Sequence, residues 1–305
     1  MINKDILNGS PDQLCDGKIY LIEQLSSKCG FFKSHGRLLF VVFDADHEEP
    51  NSTKTNFMKM ETHVYINSIE NDNSFRSGYC NVIEYIGDTQ TKEFDSFVEL
   101  CEFYSKNQQN PSFNEFFYAM LELFQLPPVE SFTNAEGLYG ELKFLEHIKN
   151  NYSVDLSRHW HISGPYSNQD ICFNNYRIEI KSSAKGNCVE IKHNQLFNAH
   201  ENYLAAVECE PFAAGESLHE LESKMVNLFP DLSFAVKLKE ELRRIKPYDI
   251  ENQTFSLNAI HIYHAKEINP FSEVPDAVSS LKYRLDLSNM PKLSDEEITI
   301  LLSKI

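Results

Sequence analysis

Arg177-Ile178-Glu179-Ile180-Lys181-Ser182 is the stretch on which the fold turns. In an extended chain successive side chains point to opposite faces, so Ile178 and Ile180 take one face while Glu179 and Lys181 share the other. The apolar face belongs to a core. The other face holds a carboxylate and an ammonium side by side. Upstream lies Asp170, in Ser167-Asn168-Gln169-Asp170-Ile171, and between the two stretches Phe173-Asn174-Asn175-Tyr176 puts Asn-Asn at the turn of a hairpin. A tight hairpin here sets Asp170 alongside Glu179 on the neighbouring strand.

Two carboxylates and a lysine in that arrangement have a chemical use. Paired carboxylates offer the hard oxygen ligands that Mg²⁺ prefers. A lysine beside the ion can orient an attacking water or lower its pKa, and the ion can stabilise charge building on a phosphodiester. Glu-x-Lys alone is commonly a solvated strand face, and Glu190-Ile191-Lys192 repeats the same three letters. The first copy is preferred on two grounds. It has an Asp one hairpin away and lies in a convincing strand, whereas the second sits at the entrance to Asn194-Gln195-Leu196-Phe197, which reads as helical.

An Asp one hairpin before an apolar-flanked Glu-x-Lys strand resembles the PD-(D/E)xK nuclease superfamily. Four pieces resemble, more narrowly, a bacterial PD-(D/E)xK family found among restriction-modification genes. They are Gly137-Leu138-Tyr139-Gly140-Glu141-Leu142, then Trp160 with Gly164-Pro165 and Asp170, then Ile178-Glu179-Ile180-Lys181-Ser182-Ser183, and Ile191 through Gln195-Leu196. Residues 277–288 resemble that family's closing segment, and the likeness spans 110–290, more weakly the region before it. Gln169 stands where the superfamily's name places a proline.

The resemblance implies that Asp170 and Glu179 are metal ligands, that the Ile180 carbonyl adds another, and that Lys181 is the catalytic lysine. Glu141 matches the helical acid that completes the metal site, and Gln195 matches a polar residue that orders it; each also reads as an ordinary surface side chain. It further implies Mg²⁺, with Mn²⁺ able to substitute, and double-stranded DNA as substrate. The expected activity is that of a type II restriction-like endonuclease in defence against foreign DNA, such as phage. The expected associations, by analogy, are a homodimer and restriction-system partner subunits. The rival from another class is a catalytically inactive nuclease-like subunit used for DNA binding or assembly, and an RNA nuclease is a third reading.

The composition fits a globular chain. Its 305 residues, 42% hydrophobic and 12% aromatic, suffice for two domains or one large one. The start, Met-Ile-Asn-Lys-Asp-Ile-Leu-Asn, lacks the apolar run of a signal peptide, and no stretch approaches the roughly 18 consecutive apolar residues of a membrane helix. Cys15, Cys29, Cys80, Cys101, Cys172, Cys188 and Cys209 are dispersed with no C-x-x-C pair, which favours free thiols in a reducing cytoplasm over disulfides or structural zinc. The net charge of −17 counts against a nucleic-acid partner, although a whole-chain sum does not describe one face.

Residues 1–110 read as a β-rich domain, with strands at 38–43, 62–69 and 80–86 and helical spacing over 94–106. Residues 111–305 read as an α/β domain of restriction-endonuclease type, a mixed central sheet flanked by helices, with a C-terminal extension. Its expected helices cover 112–125, the segment after Thr133-Asn134, 194–201, 218–229 and 232–245. Its expected strands lie near Trp160 and over 170–173, 176–182, 203–208 and 255–263.

Other motifs are weaker. His159 and His161 flank Trp160, and such a pair can bind metal, but with no Cys or Asp nearby they read as ordinary polar positions, as do His261 and His264. Gly137-Leu138-Tyr139-Gly140 is too short and apolar to cradle a phosphate, and no G-x-S-x-G is present. Lys237, Lys239, Arg243, Arg244 and Lys246 form the densest basic cluster. Lys239, Arg243 and Lys246 share a helical face that can meet a DNA backbone, although the interleaved Glu240 and Glu241 favour a solvated surface.

Overall fold

Alternation along β3 (Arg37–Phe43) organises the first part of the chain. Leu39, Val41 and Phe43 join Ile19, Phe32, Cys80 and Val82 in one cluster, while Phe40 points the other way. The computed structural model describes residues 19–43, 50–69, 75–106, 112–125, 133–161, 169–184, 188–269, 271 and 281–305. It divides into two compact units, 1–128 and 129–305.

In the first unit, β3 is joined by β1 (Ile19–Gln24), β2 (Cys29–Ser34), β4 (Ser52–Lys54), β5 (Met58–Ile69) and β6 (Phe75–Tyr85), in the order β1-β2-β3-β6-β5-β4. β1 also returns to pair in parallel with β5, Ile19 opposite Ser68, so the sheet closes on itself. Two helices, α1 (Lys92–Lys106) and α2 (Phe113–Gln125), cover its outer face. Phe31 lies 6.3 Å from Phe97, and Phe40 lies 6.0 Å from Phe116. Each buried ring removes enough apolar surface from water to contribute about 1.5–3 kcal/mol. That packing is why α2, assigned above to the second domain, lies in the first unit.

The second unit is built on a mixed sheet, as expected. β7 (Ile171–Phe173), β8 (Tyr176–Ser183), β10 (Glu201–Ser217) and β11 (Thr254–His264) lie in the order β11-β10-β8-β7. β8 and β10 run parallel, with Glu179 opposite Leu204, and the other pairs are antiparallel. One face packs against α3 (Ala135–Tyr152), α5 (Leu218–Leu228) and α6 (Leu232–Arg243): Leu138, Leu142 and Leu145 meet Ile178, Ile180, Ala205 and Val207. Asn134 caps α3 by accepting from the Glu136 N–H.

The other sheet face, Leu204 and Ala206, is covered by a two-stranded ribbon of β9 (Cys188–Lys192) and β12 (Lys282–Asp286), together with Leu196 of the single-turn α4 (His193–Leu196). α7 (Pro247–Asn252), α8 (Asp295–Leu302) and two 3-10 turns, Ser157–His159 and Ala265–Ile268, complete the described elements. Two expectations change. The helix expected over 194–201 is one turn, because β10 already begins at Glu201. Glu190-Ile191-Lys192 does lead into a helix, with Lys192 as the N-cap of α4, but it also lies in a strand that β12 pairs throughout. Gly164-Pro165 and residues 277–280, cited for the resemblance, lie outside the described residues. No described helix is long and apolar enough to cross a membrane, and the six described cysteines are free.

Candidate active site

The hairpin forms as its sequence requires. Asn174 takes a φ of 47° at the turn, a left-handed conformation that asparagine adopts more readily than most residues, and Ile171 pairs with Ile178. One step beyond that pair, the Ile180 N–H donates to Asp170 Oδ2 at 2.6 Å. The carboxylate is thereby held against the strand that carries Glu179 and Lys181.

Glu179 is 1% exposed. Its Oε1 accepts from Lys181 Nζ and, at 2.5 Å, from Gln195 Nε2. Its Oε2 is buried without a hydrogen-bond partner. A buried carboxylate oxygen left unpaired is costly, and a cation is one group that satisfies it. Gln195 is itself braced: its Oε1 accepts from the Lys192 N–H at 3.1 Å, and its carbonyl accepts from Gln169 Nε2 at 3.2 Å.

Glu141 arrives from α3. The helix crosses β8 so closely at Gly140 that an added Cβ would lie 1.8 Å from Ser182 Oγ. Only glycine permits that approach, and it carries the next residue, Glu141, to the site. Glu141 Oε2 accepts from Trp160 Nε1 at 2.9 Å and meets His161 Nε2 at 2.8 Å. His161 Nε2 also lies 3.9 Å from Asp170 Oδ1, and its Nδ1 lies 3.2 Å from Glu241 Oε1. Possible ligand atoms of Glu141, His161 and Asp170 all fall within 4.8 Å of one another.

The structure therefore brings Asp170, Glu179, Lys181, Glu141 and Gln195 together, with Ile180 present through its backbone. It also corrects one reading: His161 is not an ordinary polar position. Trp160, fully buried, bridges to Ile171, and the His161 N–H donates to the Asp170 carbonyl at 2.9 Å. The Asp partner that His161 seemed to lack is its neighbour across strands. His159 instead sets its ring 5.9 Å from Phe173, and Glu241, interleaved with the basic run, faces His161. The one sequence signal for this corner was the His-Trp-His run itself.

Electrostatics follow from crowding acids in a buried place. Burial, then the charges of Glu141 and Glu179, push the Asp170 carboxyl well above its ordinary range. Burial raises Glu179 to about 7 against the opposing pull of Lys181. Burial works against the Lys181 ammonium too, but Glu179 and Asp170 outweigh it and raise its pKa. For His161, burial is overcome by its bonds to Glu141 and Glu241, and the imidazole rises to about 10. This is excess negative charge gathered around one point, which a divalent cation would relieve.

The remaining candidates fall away. Glu190 is 56% exposed on its side chain and pairs with Lys282 at 2.5 Å. His264 lies 3.4 Å from Glu201, and His261 contacts Lys292 at 3.0 Å. In the basic cluster, Lys239 pairs with Glu222 at 2.6 Å, Arg244 with Glu241 at 3.1 Å, and Lys237 donates to the Trp160 carbonyl at 3.3 Å.

A mixed sheet whose hairpin and following strand present an acid, a second acid and a lysine, with a further acid from the preceding helix, defines the PD-(D/E)XK class of fold. The chain matches the model of a family described as "Putative PD-(D/E)XK family member, (DUF4420)" over residues 31–288. It belongs to that family. No curated protein and no solved structure matches it.

Proposed function

We propose that this chain is a divalent-metal-dependent endonuclease that hydrolyses DNA phosphodiester bonds, in restriction of foreign DNA. The observation that carries the reading is the unpartnered, buried Oε2 of Glu179, set among Asp170, Glu141 and the Lys181 ammonium. The donors suit Mg²⁺ or Mn²⁺: Asp170, Glu179 and Glu141 would hold the ion, with the Ile180 carbonyl as a backbone oxygen. When bound, the ion supplies charge stabilisation at the phosphate.

The chain's own groups do the rest. Lys181, held on Glu179, orients a water toward the phosphorus and keeps positive charge beside the developing oxyanion. Gln195 fixes the Glu179 carboxylate on the side away from the ion. Double-stranded DNA is the substrate, a homodimer would supply two sites for two strands, and partner subunits of a restriction system are the expected associates. The expected setting is the cytoplasm.

Plasmid nicking tests the proposal. Purified protein with Mg²⁺ or Mn²⁺ should convert supercoiled DNA to nicked and linear forms, EDTA should stop it, and Lys181→Ala and Asp170→Ala should each abolish it. Nicking that persists unchanged in both variants would be a contaminant's, and the chain would then read as an inactive DNA-binding or assembly subunit.

A further inference from the structure

The acids and the lysine of the site are not its whole inner surface. His161 belongs to it as well, and each of its two ring nitrogens meets a carboxylate. Its two ring nitrogens face different partners. Nε2 points to Glu141 Oε2 at 2.8 Å, with Asp170 Oδ1 at 3.9 Å, while Nδ1 is taken by Glu241 Oε1 at 3.2 Å. A carboxylate on the far nitrogen of a histidine is the arrangement that fixes ring orientation and tautomer in metal-binding histidines, and an ion taken up at Nε2 would displace the proton that the ring shares with Glu141. The backbone locks the ring's position too: His161 has a φ of 45°, its N–H bonds the Asp170 carbonyl, and Trp160 is buried beside it with its indole on Glu141.

The spacing fits a shared ion. Ligand atoms each roughly 2.1 Å from one centre stand roughly 3–4 Å apart, and His161 Nε2 lies 2.8 Å from Glu141 Oε2 and 3.9 Å from Asp170 Oδ1. Independently, Glu179 contributes the buried Oε2 that has no partner.

We propose that His161 is a nitrogen ligand of the divalent ion, oriented by Glu241, and that this nitrogen makes the centre one for a first-row transition ion in preference to Mg²⁺. The proposal rests on the nuclease reading above and deepens it. Mg²⁺ takes oxygen donors and holds its waters, whereas imidazole suits the later first-row ions Fe²⁺, Ni²⁺, Cu²⁺ and Zn²⁺, and Mn²⁺, which also prefers carboxylates, accepts one nitrogen beside them more readily than Mg²⁺ does. A mixed set of carboxylate oxygens and one imidazole nitrogen is thus selective in a way that an all-oxygen set is not. Glu241 acts through His161 and is a positioning residue.

The test is direct binding, separate from cleavage. Mn²⁺ and Mg²⁺ are titrated calorimetrically into wild type, His161→Ala, His161→Asn, Glu241→Gln and Asp170→Ala, with unfolding temperatures recorded for each. Mn²⁺-loaded protein is then examined by pulsed electron paramagnetic resonance for ¹⁴N coupling. Wild type should bind Mn²⁺ more tightly than Mg²⁺ and show a histidine nitrogen signal. Both His161 variants should lose that signal and weaken Mn²⁺ binding about 10- to 100-fold, with Mg²⁺ binding much less affected. Glu241→Gln should weaken Mn²⁺ binding while retaining the nitrogen signal.

Mn²⁺ that binds wild type without ¹⁴N coupling, and depends on Asp170 alone, overturns the role of His161 and leaves the nuclease reading standing. Tighter binding in His161→Ala makes the imidazole a competitor for the ion's place and overturns it equally. If neither ion binds wild type, both readings fall. The nitrogen signal is read on wild type, so a variant that fails to fold does not protect the proposal.

Discussion

The Ile180 amide donates to Asp170 Oδ2 at 2.6 Å across the hairpin, so the first acid of the site is positioned by the backbone of the strand that carries the second. Sheet register, and not side-chain flexibility, sets the separation of Asp170 from Glu179. Lys181, two residues on, falls on the same face by pleat alone.

Replacing Lys181 by Met keeps most of its length and removes the charge. Cleavage should fall about 10²- to 10⁴-fold, the usual contribution of a positioned proton-handling group. DNA binding by gel shift should change little. A loss confined to binding would remove Lys181 from the chemistry.

Metal binding should strengthen with pH. Burial holds the Asp170 carboxyl well above its ordinary range and Glu179 at about 7, and the Glu141 and Glu241 bonds raise His161 to about 10, so each of the three must release a proton before it can ligate an ion. Mn²⁺ affinity measured calorimetrically should therefore climb between pH 6 and pH 8. A flat profile would mean that these three groups are already deprotonated.

Gly140 and Gly137 sit one turn apart on α3 and should answer oppositely to alanine. At Gly140 the new methyl collides with Ser182, costing about 1–3 kcal/mol and displacing Glu141. At Gly137 a Cβ meets nothing within 4 Å, so alanine should be neutral or stabilise by up to about 1 kcal/mol. Chemical denaturation of the two variants separates the cases.

Away from the site, Glu146 is buried between Lys143, at 2.5 Å, and Lys224. Burial raises its pKa, but the two ammonium groups outweigh burial and lower it. An acid with a depressed folded pKa stabilises fully above its unfolded value of about 4.3 and loses that contribution as pH falls toward the folded value. Glu146→Gln should therefore cost about 3 kcal/mol at pH 7, and its deficit against wild type should shrink below pH 5. A deficit that stays constant with pH would assign the cost to packing.

Much of this was legible in the chain because it is local. The hairpin is written in alternating residues around Asn174-Asn175, and α3 in its cap at Asn134 and its apolar spacing. What separates the two Glu-x-Lys copies is burial, which three letters do not encode: Glu179 is 1% exposed, whereas the side chain of Glu190 is 56% exposed. The His161 corner was illegible for a different reason. It joins Glu141, Asp170 and Glu241 from three separate elements, and the ring contacts Glu241 across 80 positions of chain. The first unit's hold on α2 was hidden likewise, since any aromatic helix face fits many partners until Phe40 and Phe31 are seen beneath it.

Gln195 links pieces that are distant along the chain: Glu179 on β8, the amide of Gln169 ahead of β7, and the backbone of Lys192 at the end of β9. The acids and the lysine can all be in place on a formed sheet and still lack the latch that aims them. Competence thus depends on the ribbon of β9 and β12 being seated as well as on the sheet. Local opening of that ribbon would silence the centre well before the sheet itself comes apart.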